Sequence, residues 1–311
     1  MITRPLAGIA AALIAACFYG TIPNFARAAF TNGVPGIDSS FLRTTVIALV
    51  LGGLSVARGV SLRVPTAGYW SFAGLAVSTL VISVSYLVAV QFIPVALAVI
   101  IFFTFPVIIL ITAPLVEGHA PGPRRVLIGL MAFAGLAIAV GPGFNDLDIR
   151  GIALAAAAAS GATLQFYSGR LVSRHLDPAA FGSLVHLAIW LPSLAIVLWL
   201  GDGAIRSFLP GQASAIGWIW AFALSGAYVA AYFFHMVSLK HAPASVVAPF
   251  FNLEPIVATL IAAIFLGETL AVNQYAGGAV VLVALVLSSR ITAAGRARHG
   301  SPSERKRAEI S

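Results

Sequence analysis

Long apolar runs alternate along the chain with polar or Gly/Pro-rich breaks, most of them too short to fold by themselves. Ten runs stand out: Leu6 to Phe30, Ser39 to Ala57, Thr66 to Val90, Val95 to Val116, Val126 to Val140, Ile152 to Val172, Ala179 to Leu200, Ala213 to Leu239, Ala244 to Leu266 and Asn273 to Ser289. A hydrocarbon core of roughly 30 Å takes about 20 apolar residues per helix, so each run reads as a membrane span. The fifth and tenth are short, and need snorkelling flanks or local thinning of the bilayer. A lipid-facing barrel would alternate polar and apolar residues in segments of about ten, and the runs do not. The expected fold is an all-α membrane protein of ten transmembrane helices. The first run also follows a basic residue, Arg4, as a signal peptide would. It is longer than the roughly 7 to 15 apolar residues of a signal h-region, and reads as the first span.

Composition sharpens the class. The chain of 311 residues is 60% hydrophobic and 9% charged, against about 25% charged in an ordinary soluble domain, which leaves no length for a separate soluble domain. The single cysteine, Cys17, lies in the first run and excludes a disulfide within the chain.

The two halves repeat each other. A shift of 149 residues carries Pro94 onto Pro243, Pro106 onto Pro255, Gly118 onto Gly267 and Gly129 onto Gly278. A shift of 143 carries Gly8 to Cys17 onto Gly151 to Ser160, Arg27 onto Arg170 and Arg43 onto His186, and the longer polar loop at 201–212 accounts for the difference between the shifts. The expected organisation is a five-helix repeat over 1–145, a second over 146–290, and a basic tail over 291–311 that stays disordered. Five is odd, so the second repeat enters the membrane from the opposite side and the repeats are inverted. Inverted repeats are the architecture by which many secondary transporters present a midplane site to each side in turn.

Charge orients the array. With the N-terminus inside, Arg4, Arg58, Arg63, Arg124, Arg125, Arg170, Arg174, Lys240, Arg290 and the basic tail all fall on the inner side, while the outer loops receive Arg150 and Arg206. Both termini are therefore expected in the cytoplasm. The net charge of +8 follows from this asymmetry and gives no reason to expect nucleic acid binding; the basic tail reads most simply as a solvated segment, with weak attraction to anionic lipid headgroups the alternative.

The most unusual residues lie in FFNLEPIVATLIAAIFLGET, Phe250 to Thr269, where Asn252, Glu254 and Pro255 interrupt an apolar span. A carboxylate near the middle of a lipid-facing helix costs roughly 2.5 to 3.5 kcal/mol, so Glu254 is expected to face protein or water. One reading is structural, with Glu254 and Asn252 serving backbone groups freed by Pro255. The other is functional, with Glu254 titrating a proton or binding a substrate ammonium. Arg43 is read either as a snorkelling side chain or as a gate and partner for a substrate carboxylate. Candidates for lining a central pocket are Asn24, Tyr86, Gln165, Tyr167, His235 and Asn252, with Tyr86 and His235 equivalent under the 149 shift. Each also suits a hydrogen bond between helices. Glu268 is expected to cap a helix end, and Trp190, Trp199, Trp218 and Trp220 to form an outer aromatic belt. No metal site and no cofactor is expected. The chain carries no H-E-x-x-H, G-x-S-x-G, phosphate-binding glycine loop or cysteine pair, so common hydrolytic and ATP-driven chemistries lack their parts.

FYGTIPNFARAAF, FLRTTVIALVL, the helix carrying Pro94 and Pro106, NLEPIVATLIAAIFLGET and GGAVVLVALVL together resemble the EamA-type members of the drug/metabolite transporter superfamily, over about residues 6 to 290. The first half departs from the usual pattern, with Glu117-Gly118 where the second has Gly267-Glu268, and with Tyr19 where tryptophan is frequent. The resemblance implies ten helices in two inverted repeats, residence in a bacterial inner membrane, and export of small polar metabolites such as amino acids, with proton coupling an open question. A flippase of a lipid-linked metabolite on the same fold, a membrane enzyme of another type and a non-transporting interaction protein are the alternatives.

Overall fold

The computed structural model describes residues 4–141, 148–200, 206–209, 211–266 and 269–299. The described residues are helical throughout the apolar runs: α1 Arg4–Thr31, α2 Gly36–Ala57, α3 Tyr69–Ala89, α4 Val95–Phe102, α5 Phe105–Val116, α6 Pro123–Val140, α7 Ile149–Val172, α8 Pro178–Ala188, α9 Trp190–Leu200, α10 Ala215–His241, α11 Ala244–Val247, α12 Leu253–Leu266 and α13 Val272–His299. Among them, nine spans are long and apolar enough to cross a membrane, and ten if α8 and α9, bent by 40° at their junction, are one span.

Three expected spans are broken, each where proline removes a backbone donor. Pro106 cannot donate to Phe102, and α4 gives way to α5 across Phe103 and Thr104. Pro192 cannot donate to Ala188, and the chain bends at Ile189, after which the helical ladder resumes with the Ser193 amide donating to the Ile189 carbonyl at 2.8 Å. Pro249 and Pro255 bracket a 3-10 turn, Ala248–Asn252, between α11 and α12. At the C-terminal end, α13 runs on to His299, so the tail expected to be disordered from 291 starts as helix; Ala-rich sequence without proline continues a helix readily. Residues 300–311, and the cap expected of Glu268, lie outside the described residues.

Packing pairs helices across the halves. α1 lies along α10, α3 along α7, α2 along α8 and α6 along α13. The first two pairs are the same pair with the halves exchanged; the last two each join a helix to its own equivalent. All four pairs are antiparallel. Along α2 and α8, Arg58 meets Asp177, Gly52 meets Ser183 and Phe41 meets Trp190. Along α6 and α13, Gly141 meets Asn273, Gly135 meets Gly277 and Arg125 meets Thr292. The glycines at 135 and 277 let these two backbones touch, since a Cβ at Gly135 would lie 2.9 Å from the Gly277 carbonyl.

Candidate functional site: a central aromatic cluster with two unpaired charges

Aromatic side chains from α1, α3, α5, α7, α10 and the turn before α12 converge on the middle of the bundle. His235 is buried between the rings of Phe166, at 4.4 Å between centroids, and Phe251, at 4.7 Å. Tyr19 stands edge-on to both Tyr228 and His235, each at 6.2 Å. Tyr86 packs on Phe102 at 5.3 Å. Neither ring nitrogen of His235 has a hydrogen-bond partner among the described residues.

Two charges sit in this aromatic surround. The Arg43 guanidinium lies 4.6 Å from the centroid of the Tyr228 ring and donates to Ser83 Oγ at 3.4 Å. Facing inward on a tyrosine face, it does not snorkel toward the membrane surface as one reading of its position expected. A cation held over an aromatic face keeps its charge available, because the ring quadrupole stabilises it without neutralising it. Glu254, in the first turn of α12, is half-buried, and its backbone packs on α1 next to Tyr19, where a Cβ added at Gly20 would lie 2.7 Å from the Glu254 carbonyl. Among the described residues neither Glu254 nor Arg43 forms an ion pair, with each other or with another side chain.

Behind Arg43 the second half supplies its counterpart. His186 Nδ1 meets the Gly182 carbonyl at 2.8 Å, which only accepts, so Nδ1 carries the proton. Nε2 faces the Tyr228 hydroxyl at 3.1 Å. Arg43 and His186, equivalent under the 143 shift, therefore meet one tyrosine, the first over its ring and the second at its hydroxyl. Tyr228, Tyr19, Phe166 and Phe251 were not among the sequence candidates. Aromatic residues inside apolar helices carry no signal that separates a cleft wall from ordinary core.

The other candidates divide. Gln165 Nε2 donates to Thr79 Oγ1 at 3.0 Å, tying α7 to α3. The Tyr167 hydroxyl bonds the Ile109 carbonyl and Thr112 Oγ1, both at 2.9 Å, tying α7 to α5. Asn24 Nδ2 donates to the Ala258 carbonyl at 3.0 Å, tying α1 to α12. These three join helices and do not present their donors to the aromatic cluster. Asn252 Nδ2 donates to the Pro249 carbonyl at 3.0 Å, within the 3-10 turn and not to a group freed by Pro255, while its buried Oδ1 has no partner among the described residues. Trp190 donates to Thr45 Oγ1 at 2.9 Å and so joins α9 to α2, whereas Trp199 is largely exposed. No cluster of three metal-ligating side chains occurs among the described residues.

Comparison with known proteins agrees with this architecture. The model of the EamA-like transporter family matches twice, over residues 6–141 and 149–290. A solved structure described only as "Crystal structure of protein" superposes with a TM-score of 0.77, covering 91% of this chain and 98% of its own, at 17% identity, a likeness that speaks for the fold alone. No curated protein matches the sequence. With two successive matches spanning nearly the whole chain, and a helical membrane fold to carry them, this protein belongs to the EamA-like transporter family.

Proposed function

We propose that the protein is a secondary transporter whose two five-helix halves, 1–145 and 146–290, lie inverted in the membrane, both termini cytoplasmic, and that it exports small zwitterionic metabolites of the amino-acid type. The antiparallel run of equivalent helices, α2 against α8 and α6 against α13, supports inversion. Orientation is supported by the gathering of Arg58, Arg125, Arg170, Arg174 and Lys240 at one end. Export and the bacterial inner membrane rest on family likeness.

The observation that carries the substrate reading is the pair of opposite charges left apart in one aromatic cluster. A guanidinium offers a planar fork suited to a carboxylate, and Glu254 offers an acceptor for an ammonium. A molecule bearing both groups would satisfy both residues at once, and the rings would take its apolar part. Glu254 is also placed to exchange a proton for the ammonium, which would couple transport to pH.

Proteoliposomes loaded with amino acids test this reading. Efflux is expected to fall by about tenfold or more in Glu254→Gln and in Arg43→Gln, the scale of losing a charge-assisted hydrogen bond. An N-acetylated substrate, which lacks the ammonium, is expected to move poorly in the wild type. Unchanged efflux and pH profile in Glu254→Gln would return that residue to a structural role.

A further inference from the structure

A cavity of roughly 260 Å³ lies away from the central aromatic cluster, at the end where α5 and α7 finish and α11 begins. It is lined by Glu117, His119, Tyr167, Arg170, Arg174 and the apolar Val116, Leu171 and Pro243. Most of its polar groups are held in place by the fold. Glu117 accepts from the Ser245 amide at 3.2 Å and from the Ser245 hydroxyl, which fastens the end of α5 to the first turn of α11. Arg170 spends one nitrogen, Nη1, on the carbonyls of Leu239 at 2.6 Å and Lys240 at 2.8 Å, closing the end of α10. Its Nε and Nη2 have no partner among the described residues, and the Arg174 side chain, one turn further on, makes no hydrogen bond or ion pair among them.

We infer that this cavity binds the phosphate of an anionic phospholipid headgroup. Three observations support a lipid. Two guanidiniums with free donors outnumber the one carboxylate, whose oxygens are engaged by Ser245, so the cavity favours an anion, and guanidinium forks suit phosphate oxygens. Val116 and Leu171, on its rim, are 51% and 38% exposed, and Leu115 beside them is 87% exposed, which places the mouth of the cavity against acyl chains. Basic pockets between helices at the membrane surface are the general form of headgroup sites. A bound lipid would bridge α7 to α5 beside the Glu117–Ser245 contact, and so would hold this end of the bundle shut. The inference does not depend on the substrate assigned to the central aromatic cluster.

Native mass spectrometry of the detergent-released protein with added phosphatidylglycerol or phosphatidylcholine tests it, with a thermal melt as a second readout. Phosphatidylglycerol is expected to give a retained one-lipid adduct and a higher Tm, and phosphatidylcholine neither. Arg174→Gln, which leaves the Arg170 closure of α10 intact, is expected to weaken the adduct about tenfold, the scale of one charged hydrogen bond. Arg63→Gln, an exposed charge outside the cavity lining, is expected to leave it unchanged. Equal retention of the two lipids, equal loss in both variants, or full displacement by millimolar inorganic phosphate would each overturn the lipid assignment. Lipid binding without substrate efflux would fail the transport reading and leave this one standing.

Discussion

Val95–Phe105 in the first half and Ala244–Glu254 in the second are equivalent under the 149 shift, each following a proline and each leading to another at Pro106 or Pro255. Their structures differ. The first starts as a regular two-turn helix, α4, in which only Leu97 and Ala98 are buried, and is buried again at Phe103 and Phe105. The second keeps four residues of α-helix and tightens into a 3-10 turn, and every residue from Ala244 to Asn252 is buried. Part of the cause is local: Pro249 stands where the first half has Ile100, and cannot donate to the Ser245 carbonyl. The rest is packing, because α1, α5 and α6 all close on the 3-10 turn. Two related segments thus hold different conformations in one molecule. The segment fastened by the Glu117–Ser245 contact is the more deeply buried of the two, and under the proposed alternating-access reading an exchange of the two conformations would release it.

The largest effect is expected from driving α1 away from the second segment. A Cβ at Gly20 would lie 2.7 Å from both the Glu254 carbonyl and Val257 Cβ, and most of those atoms cannot yield without moving the α12 backbone. Gly20→Leu should cost about 3 kcal/mol or more, seen as loss of the monodisperse peak and a lower Tm in detergent. Gly226, with open space where its Cβ would stand, should accept Leu with little change. Equal melting of the two variants would deny that α1 clamps the segment.

A smaller effect should follow from making the halves alike. Pro249→Ile restores the donor that the first half has, so the helix can continue through the turn and the tight burial loosens. In a Cys17→Ser background, a cysteine at Val247, fully buried here, should react several-fold faster with a hydrophilic maleimide when Pro249→Ile is added. Unchanged labelling would assign the asymmetry to packing alone.

The smallest concerns the tyrosine shared by Arg43 and His186. Tyr228→Phe keeps the ring under the guanidinium and removes the hydroxyl that His186 Nε2 faces, at a cost of about 1 kcal/mol. A modest fall in Tm with efflux largely kept is the expected result, whereas Tyr228→Leu, which also removes the aromatic face, should lower efflux as Arg43→Gln does.

Much of this architecture is legible from spacing. Apolar runs of about 20 residues mark the spans, because backbone groups in lipid must be satisfied within the helix. The prolines at 94, 106, 243 and 255 expose the repeat, because proline breaks a helix wherever the chain is placed. Glu254 stands out for the same kind of reason, since a carboxylate inside a span is costly in any fold.

Polar residues of modest cost gave no such guidance. Gln165, Tyr167 and Asn24 were as plausible for the pocket as Tyr86, yet they join helices, while Tyr19 and Tyr228 form the aromatic cluster around Arg43. Which donor faces a cavity and which faces a neighbour's carbonyl depends on the rotation of each helix about its axis. That rotation is set by contacts such as Gly135 on Gly277, between residues more than a hundred positions apart. Hydrophobicity places a helix in the membrane, but only the packed bundle turns it, and the meeting of Arg43 and His186 at one tyrosine exists only once it has turned.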